Sequence, residues 1–187
     1  MAELHSLWNV PMVKKICNAL VEFAPTWIED PVRMDHPENV SKVCLSTHLP
    51  IAGGEFLGQR TQFRQLIEQT DISVVIMDLV WGGGLTEARK IASMGDTWGL
   101  PFAAHDCTGP VALTASTHIA LHAPNIFIQE IVRAFYFGWY EDLVTQFPPL
   151  KDGFIKAPDG PGLGLKLNPS IFKRADSRIR RTNSSDI

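Results

Sequence analysis

Six residues able to do acid–base or metal chemistry recur along this chain at nearly even intervals. Glu3, Glu29, Glu55, Asp78, His105 and Glu130 follow one another at separations of 23 to 27 residues. Brought together, three successive carboxylates would repel one another strongly unless a cation sat between them. Oxygen donors without sulfur suit a hard divalent ion, and Mg²⁺ keeps positions open for water or substrate. Glu3, Glu29 and Glu55 are therefore the candidate metal ligands. An Asp bonded to one imidazole nitrogen fixes the tautomer and raises the basicity of the other nitrogen, so Asp78 and His105 together make a general base. His5, two residues after Glu3, could serve as the acid, and Glu130 could bond a substrate oxygen. A single such acid would as readily cap a helix or face solvent. Three in succession at this spacing are much harder to explain that way.

The elements that must carry these residues are visible as short apolar runs. TWIED (26–30), LPIAGGE (49–55), ISVVIMDL (72–79), LPFAAHD (100–106) and NIFIQE (125–130) each end in a polar group. Runs of this kind read as strands buried on both faces of a parallel sheet. Between them lie helical patterns. PMVKKICNALVEF (11–23) starts with a proline and sets Val13, Ile16, Leu20 and Phe23 on one side. ENVSKVCLS (38–46) is a shorter candidate, and QFRQLIEQ (62–69) repeats the spacing with Phe63, Leu66 and Ile67. LTEARKIASMGDTW (85–98) has Thr86 as its expected N-cap, and VALTASTHIALH (111–122) is apolar nearly all round and reads as buried. Stepping back from Glu29 by the same interval reaches Glu3, so MAELH reads as the stub of one more strand.

A strand–helix period of about 25 residues with a polar group closing every strand fits a (β/α)8 barrel, whose active sites lie at that rim. An open doubly wound sheet would concentrate its binding groups near one switch point. The expected fold is α/β, an incomplete TIM-type (β/α) barrel of roughly the third to eighth strand units, without the first strands. Residues 1–132 are expected to form the partial barrel with its rim. The Pro/Gly-rich stretch 133–169 is a C-terminal segment, and 170–187 a polar tail.

Composition narrows the function. Of 187 residues, 45% are hydrophobic and 20% charged, as in soluble globular proteins, and a net charge of −3 offers no nucleic-acid surface. No apolar run approaches a membrane span, and no basic-then-apolar leader opens the chain. Cys17, Cys44 and Cys107 lack metal-ligand spacing among themselves, which favours free thiols in a reducing compartment, so a cytoplasmic location is expected. His36 and His48 read as solvated, and His118 and His122 as packed or surface residues. The glycines of WGGGLTEA (81–88) serve the turn after Asp78 better than they serve a phosphate. The basic run KRADSRIRR (173–181) reads as solvated.

Together, WIEDPVRM, AGGE, MDLVWGGGLTEARKIA, AAHDCTGPVALTASTH and APNIFIQEIVRAFYFGWY resemble the mandelate racemase/muconate lactonizing branch of the enolase superfamily. The resemblance is closest to its acid-sugar dehydratases, the galactonate-dehydratase-like members, and runs over roughly residues 3–169. It implies two Mg²⁺ ligands in Glu29 and Glu55, and the α-proton-abstracting dyad in Asp78 and His105. It also implies a substrate-contacting Glu130, with Glu3 and His5 matching an Asp-x-His pair that supplies the first ligand and the general acid. Glu at that ligand position departs from the commoner Asp, and Ala104 stands where a proline is frequent. The implied reaction is dehydration of a sugar acid (an aldonate) through an enediolate to a 2-keto-3-deoxy acid. It takes a small-molecule substrate, without nucleic acid or membrane, in a protein expected to be a homo-oligomer when full length. Family members also carry an N-terminal capping domain and the first barrel strands, which this sequence lacks, and residues 133–169 are expected to be the segment that would pack toward that cap. Two other readings remain at this point. One is a fragment that keeps the site residues without activity, and the other is a racemase or epimerase of a 2-hydroxy acid. A water-activating metal hydrolase is disfavoured, because the ligands are all carboxylates.

Overall fold

The computed structural model describes residues 1–183. Six short strands form one sheet: β1 (Ala2–Glu3), β2 (Ile28–Glu29), β3 (Ile51–Gly53), β4 (Val74–Met77), β5 (Phe102–Ala104) and β6 (Ile126–Gln129). They pair in chain order and every pairing is parallel. Between them run α1 (Val10–Leu20), α2 (Pro37–Cys44), α3 (Gln59–Gln69), α4 (Gly84–Thr97) and α5 (Pro110–His122). The sheet curls without closing, with β1 and β6 as its two edges. Trp27, just ahead of β2, and Phe127 on β6 bring their rings within 6.0 Å across the curl. Among the described residues no helix is long and apolar enough to cross a membrane.

Strand alternation divides the core in two. Trp27, Ala52, Val74, Ile76 and Ala103 pack together on one face with Ile128. Their neighbours Ile28, Ile51, Val75, Met77, Phe102 and Ala104 pack on the other face against Val13, Phe63, Leu66 and Ile91 of the helices. Side chains two residues apart on a strand share a face. Counting on by two from Trp27, Ile76, Ala103 and Ile128 gives Glu29, Asp78, His105 and Glu130, so all four belong to the inner face. Glu3 joins them because it stands in register with Glu29. Glu55 has the wrong parity when counted from Ala52. Gly54 breaks the extended path at φ 121°, and Glu55 lines the same mouth as the others.

Several elements differ in detail from the expectation. Helix α1 begins at Val10, capped by the Asn9 side chain on the Met12 amide, and its last turn tightens to a 3₁₀ turn over Val21–Phe23. That tightening changes the helical phase, so Phe23 is exposed instead of joining Val13 on the core side. Helix α4 is entered through Gly83 (φ 105°) and not through a Thr86 cap. The glycines do form the turn after Asp78: Gly82 N–H donates to the Asp78 carbonyl and Gly84 N–H to that of Leu79. Helix α3 buries Phe63, Leu66 and Ile67 as expected. Helix α5 buries Thr114 and Thr117 as well as its apolar residues, and both hydroxyls donate to carbonyls one turn back.

Beyond β6 the chain forms two short helices, α6 (Arg133–Tyr136) and α7 (Tyr140–Leu143), and a small antiparallel pair, β7 (Leu150–Lys151) and β8 (Phe154–Ile155). This segment covers α5, with Leu113, Tyr136 and Tyr140 as its shared core. His118 on α5 reaches the Leu163 carbonyl at 3.1 Å, a packing role. The last four residues of the polar tail lie outside the described residues.

Gly53 leaves room for the buried side chains of Asp30 and Met34, which follow β2. A Cβ there would stand 2.3 Å from Asp30 Oδ1 and 2.5 Å from Met34 Cε. Gly53→Ala is expected to cost about 1–3 kcal/mol through overpacking, read as a lower urea midpoint. An unchanged midpoint would contradict the tight contact described here.

Candidate active site at the strand ends

Each sheet strand delivers its polar side chain to one mouth. Glu3, His5, Glu29, Glu55, His105, Cys107 and Glu130 line a cavity of about 370 Å³ at the C-terminal ends of the strands. Asp78 stands just behind His105. All seven residues expected from the sequence to do chemistry are thus brought together.

Asp78 and His105 lie one residue past paired positions of β4 and β5, which sets their side chains against each other. Asp78 Oδ2 is 2.9 Å from His105 Nδ1, and Oδ1 accepts from the Val80 and Trp81 amides at 2.7 and 3.1 Å. Burial works to raise the Asp78 carboxyl but is outweighed by these donors, so it lies below the usual carboxylate value. Burial would lower His105. The Asp78 hydrogen bond and the charges of Glu55 and Glu130 overcome it and hold the imidazole up at about 9. With Nδ1 turned to Asp78, Nε2 faces the mouth, 3.2 Å from Glu55 Oε2.

The carboxylates crowd. Glu3, Glu29 and Glu55 each offer an oxygen within 4.8 Å of the other two. Glu29 Oε2 accepts from Trp27 Nε1 at 2.7 Å, and Glu3 accepts the amide of His5. Burial of its carboxyl end, with the hydrogen bond and charge of Glu29, pushes Glu3 up to about 8, although the residue as a whole is exposed. Burial pushes Glu130 to about 8 as well, aided by Glu29 and Glu55. Glu55 is raised by burial, against the pull of His105. Burial leads each of these shifts, and the neighbouring negative charges add to it. Three converging carboxylates with no sulfur or imidazole among them are the donor set of a hard divalent cation. The buried Glu130 Oε1 has no hydrogen-bond partner among the described residues and faces the same space.

His5 follows β1 in a left-handed backbone conformation (φ 54°) and is mostly exposed. Its Nδ1 lies 3.6 Å from Glu55 Oε1, so Glu55 stands between the two histidines. A row of rings also joins them. His5 stacks on Phe56 at 5.2 Å, Phe56 on Trp81 at 5.4 Å, and Trp81 lies 5.5 Å from His105.

The structure adds residues that the spacing argument overlooks. Asp30 and Asp106 follow Glu29 and His105 directly and both are buried, Asp106 bordering the mouth and Asp30 lying behind it. Asp30 Oδ1 accepts from the Gly54 amide at 3.0 Å, tying the end of β2 to the loop that carries Glu55. Asp106 accepts from the Val132 amide and from the Tyr140 hydroxyl, anchoring the C-terminal segment beside the dyad. The doubled polar residues at those strand ends were the signal for both. Phe56 and Trp81 carried no periodic signal, since both sit in the turns that follow β3 and β4.

The comparisons with known proteins agree with this architecture. The profile of the family described as enolase C-terminal domain-like matches residues 1–171. The D-galactonate dehydratase of Ralstonia nicotianae is 31% identical over 174 residues, covering 90% of this chain and 46% of that protein. The D-xylonate dehydratase of Haloferax volcanii is 34% identical, covering 89% of this chain and 40% of its own length. An enolase protein from Sargasso Sea environmental sequencing superposes with a TM-score of 0.88 at 44% identity, over 93% of this chain and 47% of that one. An enolase of the mandelate racemase subgroup from Agrobacterium tumefaciens gives 0.86 at 47% identity, over 92% and 46%. The chain spans about half the length of the curated relatives it matches. With its parallel strands in sequence order and its polar groups gathered at one rim, this chain belongs to the enolase C-terminal domain-like family, within the mandelate racemase/muconate lactonizing branch.

Proposed function

We propose that the chain carries the catalytic rim of a Mg²⁺-dependent hydro-lyase that dehydrates a sugar acid. The observation that supports it most is the Asp78–His105 pair facing a trio of carboxylates across one mouth. The dehydratase relatives point to an aldonate as the substrate class. In this reading residues 1–132 supply the third to eighth strand units of a barrel, and residues 133–169 brace the rim from outside.

Glu29 and Glu55, with Glu3, would hold the ion. Bound there, Mg²⁺ supplies positive charge beside the substrate's carboxylate, which acidifies the hydrogen on the α-carbon. Asp78 holds His105 by Nδ1; once the ring has given up its Nε2 proton, which the positive charge of a bound ion beside it would favour, Nε2 takes that hydrogen as a proton. The C–H electron pair moves between the α- and β-carbons as the β-hydroxyl departs. His5, on the opposite side of the mouth, protonates the leaving oxygen, so that water is released. The enol left behind tautomerises to a 2-keto-3-deoxy acid. Glu130 orients a substrate hydroxyl. Phe56 and Trp81 pack between the two imidazoles and steady them.

The reading is tested by incubating the chain with Mg²⁺ and a panel of aldonic acids in D₂O. Both 2-keto-3-deoxy acid and deuterium at the α-carbon are measured. His105→Asn is expected to lower both by about 10²–10⁴-fold with little change in KM. Exchange that survives the substitution would overturn the role of His105.

Metal binding generates a second expectation. Glu29 and Glu55 are buried and fixed by the sheet, whereas Glu3 is exposed on an edge strand. By calorimetric titration, Glu29→Gln and Glu55→Gln are expected to weaken Mg²⁺ binding at least about tenfold, the effect of about 1.4 kcal/mol. Glu3→Gln should weaken it less. Equal losses at all three positions would count against this ranking.

A third expectation concerns pH. In the folded chain Glu3, Glu130 and Asp30 keep a proton to about 8, against ordinary values of 4.5, 4.5 and 3.8. His105 keeps its proton to about 9 against 6.5. For all four, the folded state binds more protons than the unfolded one, so their contribution to stability falls as pH rises through this window. Without metal, Tm should decline between pH 5 and 9. The rise in Tm on adding Mg²⁺ should grow over the same range, as protons cease to compete for the carboxylates. A Mg²⁺ increment that shrinks with pH would argue against the carboxylate site.

A further inference from the structure

Cys107 lies two residues beyond His105, half-buried, with its side chain in the mouth and no part in the chemistry proposed above. One donor atom each from Cys107, His105 and Asp78 lies within 4.8 Å of the other two. The donors are a sulfur, an imidazole nitrogen and a carboxylate oxygen. The carboxylate trio suits a hard ion, whereas a mixed set of this kind suits Zn²⁺ and its softer congener Cd²⁺. Donor atoms around one such ion stand about 3 to 4 Å apart, which small side-chain rotations reach from this arrangement. The cavity gives an ion access and leaves room for water as a further ligand.

We propose that Cys107, His105 and Asp78 form a second cation site, selective for thiophilic divalent ions, whose occupation blocks the dyad. Binding needs no redox step. The ion takes a sulfur lone pair as the thiol proton leaves to solvent, takes a lone pair of a His105 ring nitrogen as the imidazolium proton leaves likewise, and takes a lone pair of an Asp78 oxygen. A metal-bound His105 has no free lone pair of its own to receive a substrate proton. Burial and the negative field of Asp78, Glu55, Asp106 and Glu130 hold the free thiol up at about 11. The same field attracts a cation, so uptake is accompanied by proton release. The blocking half of the proposal rests on the role given to His105 above, and the binding half does not.

The test is titration of the whole chain with Cd²⁺, following the ultraviolet sulfur-to-cadmium charge-transfer band, in saturating Mg²⁺. Band formation is expected to weaken at least about tenfold in Cys107→Ser and in His105→Asn. It should be unchanged in Cys44→Ser and in Glu29→Gln. Retention of the band in Cys107→Ser, or its loss in Cys44→Ser, would place the ion on another thiol and overturn the site. Displacement of Cd²⁺ by Mg²⁺ would place it at the carboxylates and overturn the site equally. Zn²⁺ should then suppress α-carbon exchange in the unaltered chain at a concentration at least about tenfold lower than in Cys107→Ser. A Cd²⁺ band with no such suppression would leave the cation site standing and overturn the blocking role.

Discussion

Mutual repulsion among the carboxylates at the rim is the constraint around which this molecule is organised. Glu3, Glu29, Glu55 and Glu130 face one small volume, where burial and their neighbours push Glu3 and Glu130 up to about 8 and raise Glu55. A flexible scaffold would relieve such crowding by letting the side chains swing apart. Here strand parity directs Glu29 and Glu130 inward, register with β2 places Glu3 beside Glu29, and the turn at Gly54 brings Glu55 to the same mouth. The fold thus gathers like charges at one place, and in the function proposed above a divalent cation would offset them.

The same logic explains why so much chemistry rests on so little regular structure. The strands run only two to four residues. What they contribute is register: Glu3 beside Glu29, and Met77 beside Ala104 so that Asp78 meets His105. Where register alone would misdirect a side chain, a local device corrects it. Gly54 redirects the chain ahead of Glu55, and Asp30 reaches across to hold the Gly54 amide in place. Asp106 does comparable work on the other side, binding the C-terminal segment to the strand that bears His105.

The strand order and the rim residues were readable in the sequence because both obey simple periods. An apolar run ended by a polar group, repeated at nearly equal spacing, locates Glu29, Asp78, His105 and Glu130 without further information. Details governed by single torsion angles were not readable in this way. Gly83 replaces Thr86 as the entry to α4, and a tightened last turn leaves Phe23 exposed. Cys107 also escaped a reading based on spacing among cysteines, since its partners are a histidine and an aspartate. The buried threonines of α5 resemble surface residues until their hydroxyls are seen bonded within the helix, which lets the helix be covered from both sides.

The row of rings from His5 through Phe56 and Trp81 to His105 bears on conformational entropy. A side chain as exposed as His5 would ordinarily sample several rotamers and lose that freedom when a ligand arrives. Stacking confines it beforehand, and each ring in the row narrows the torsional range of the next. The entropy is thus surrendered during folding, where the packing of the whole domain offsets it, and little of it remains to be lost on binding. Both imidazoles consequently meet an incoming molecule already in place.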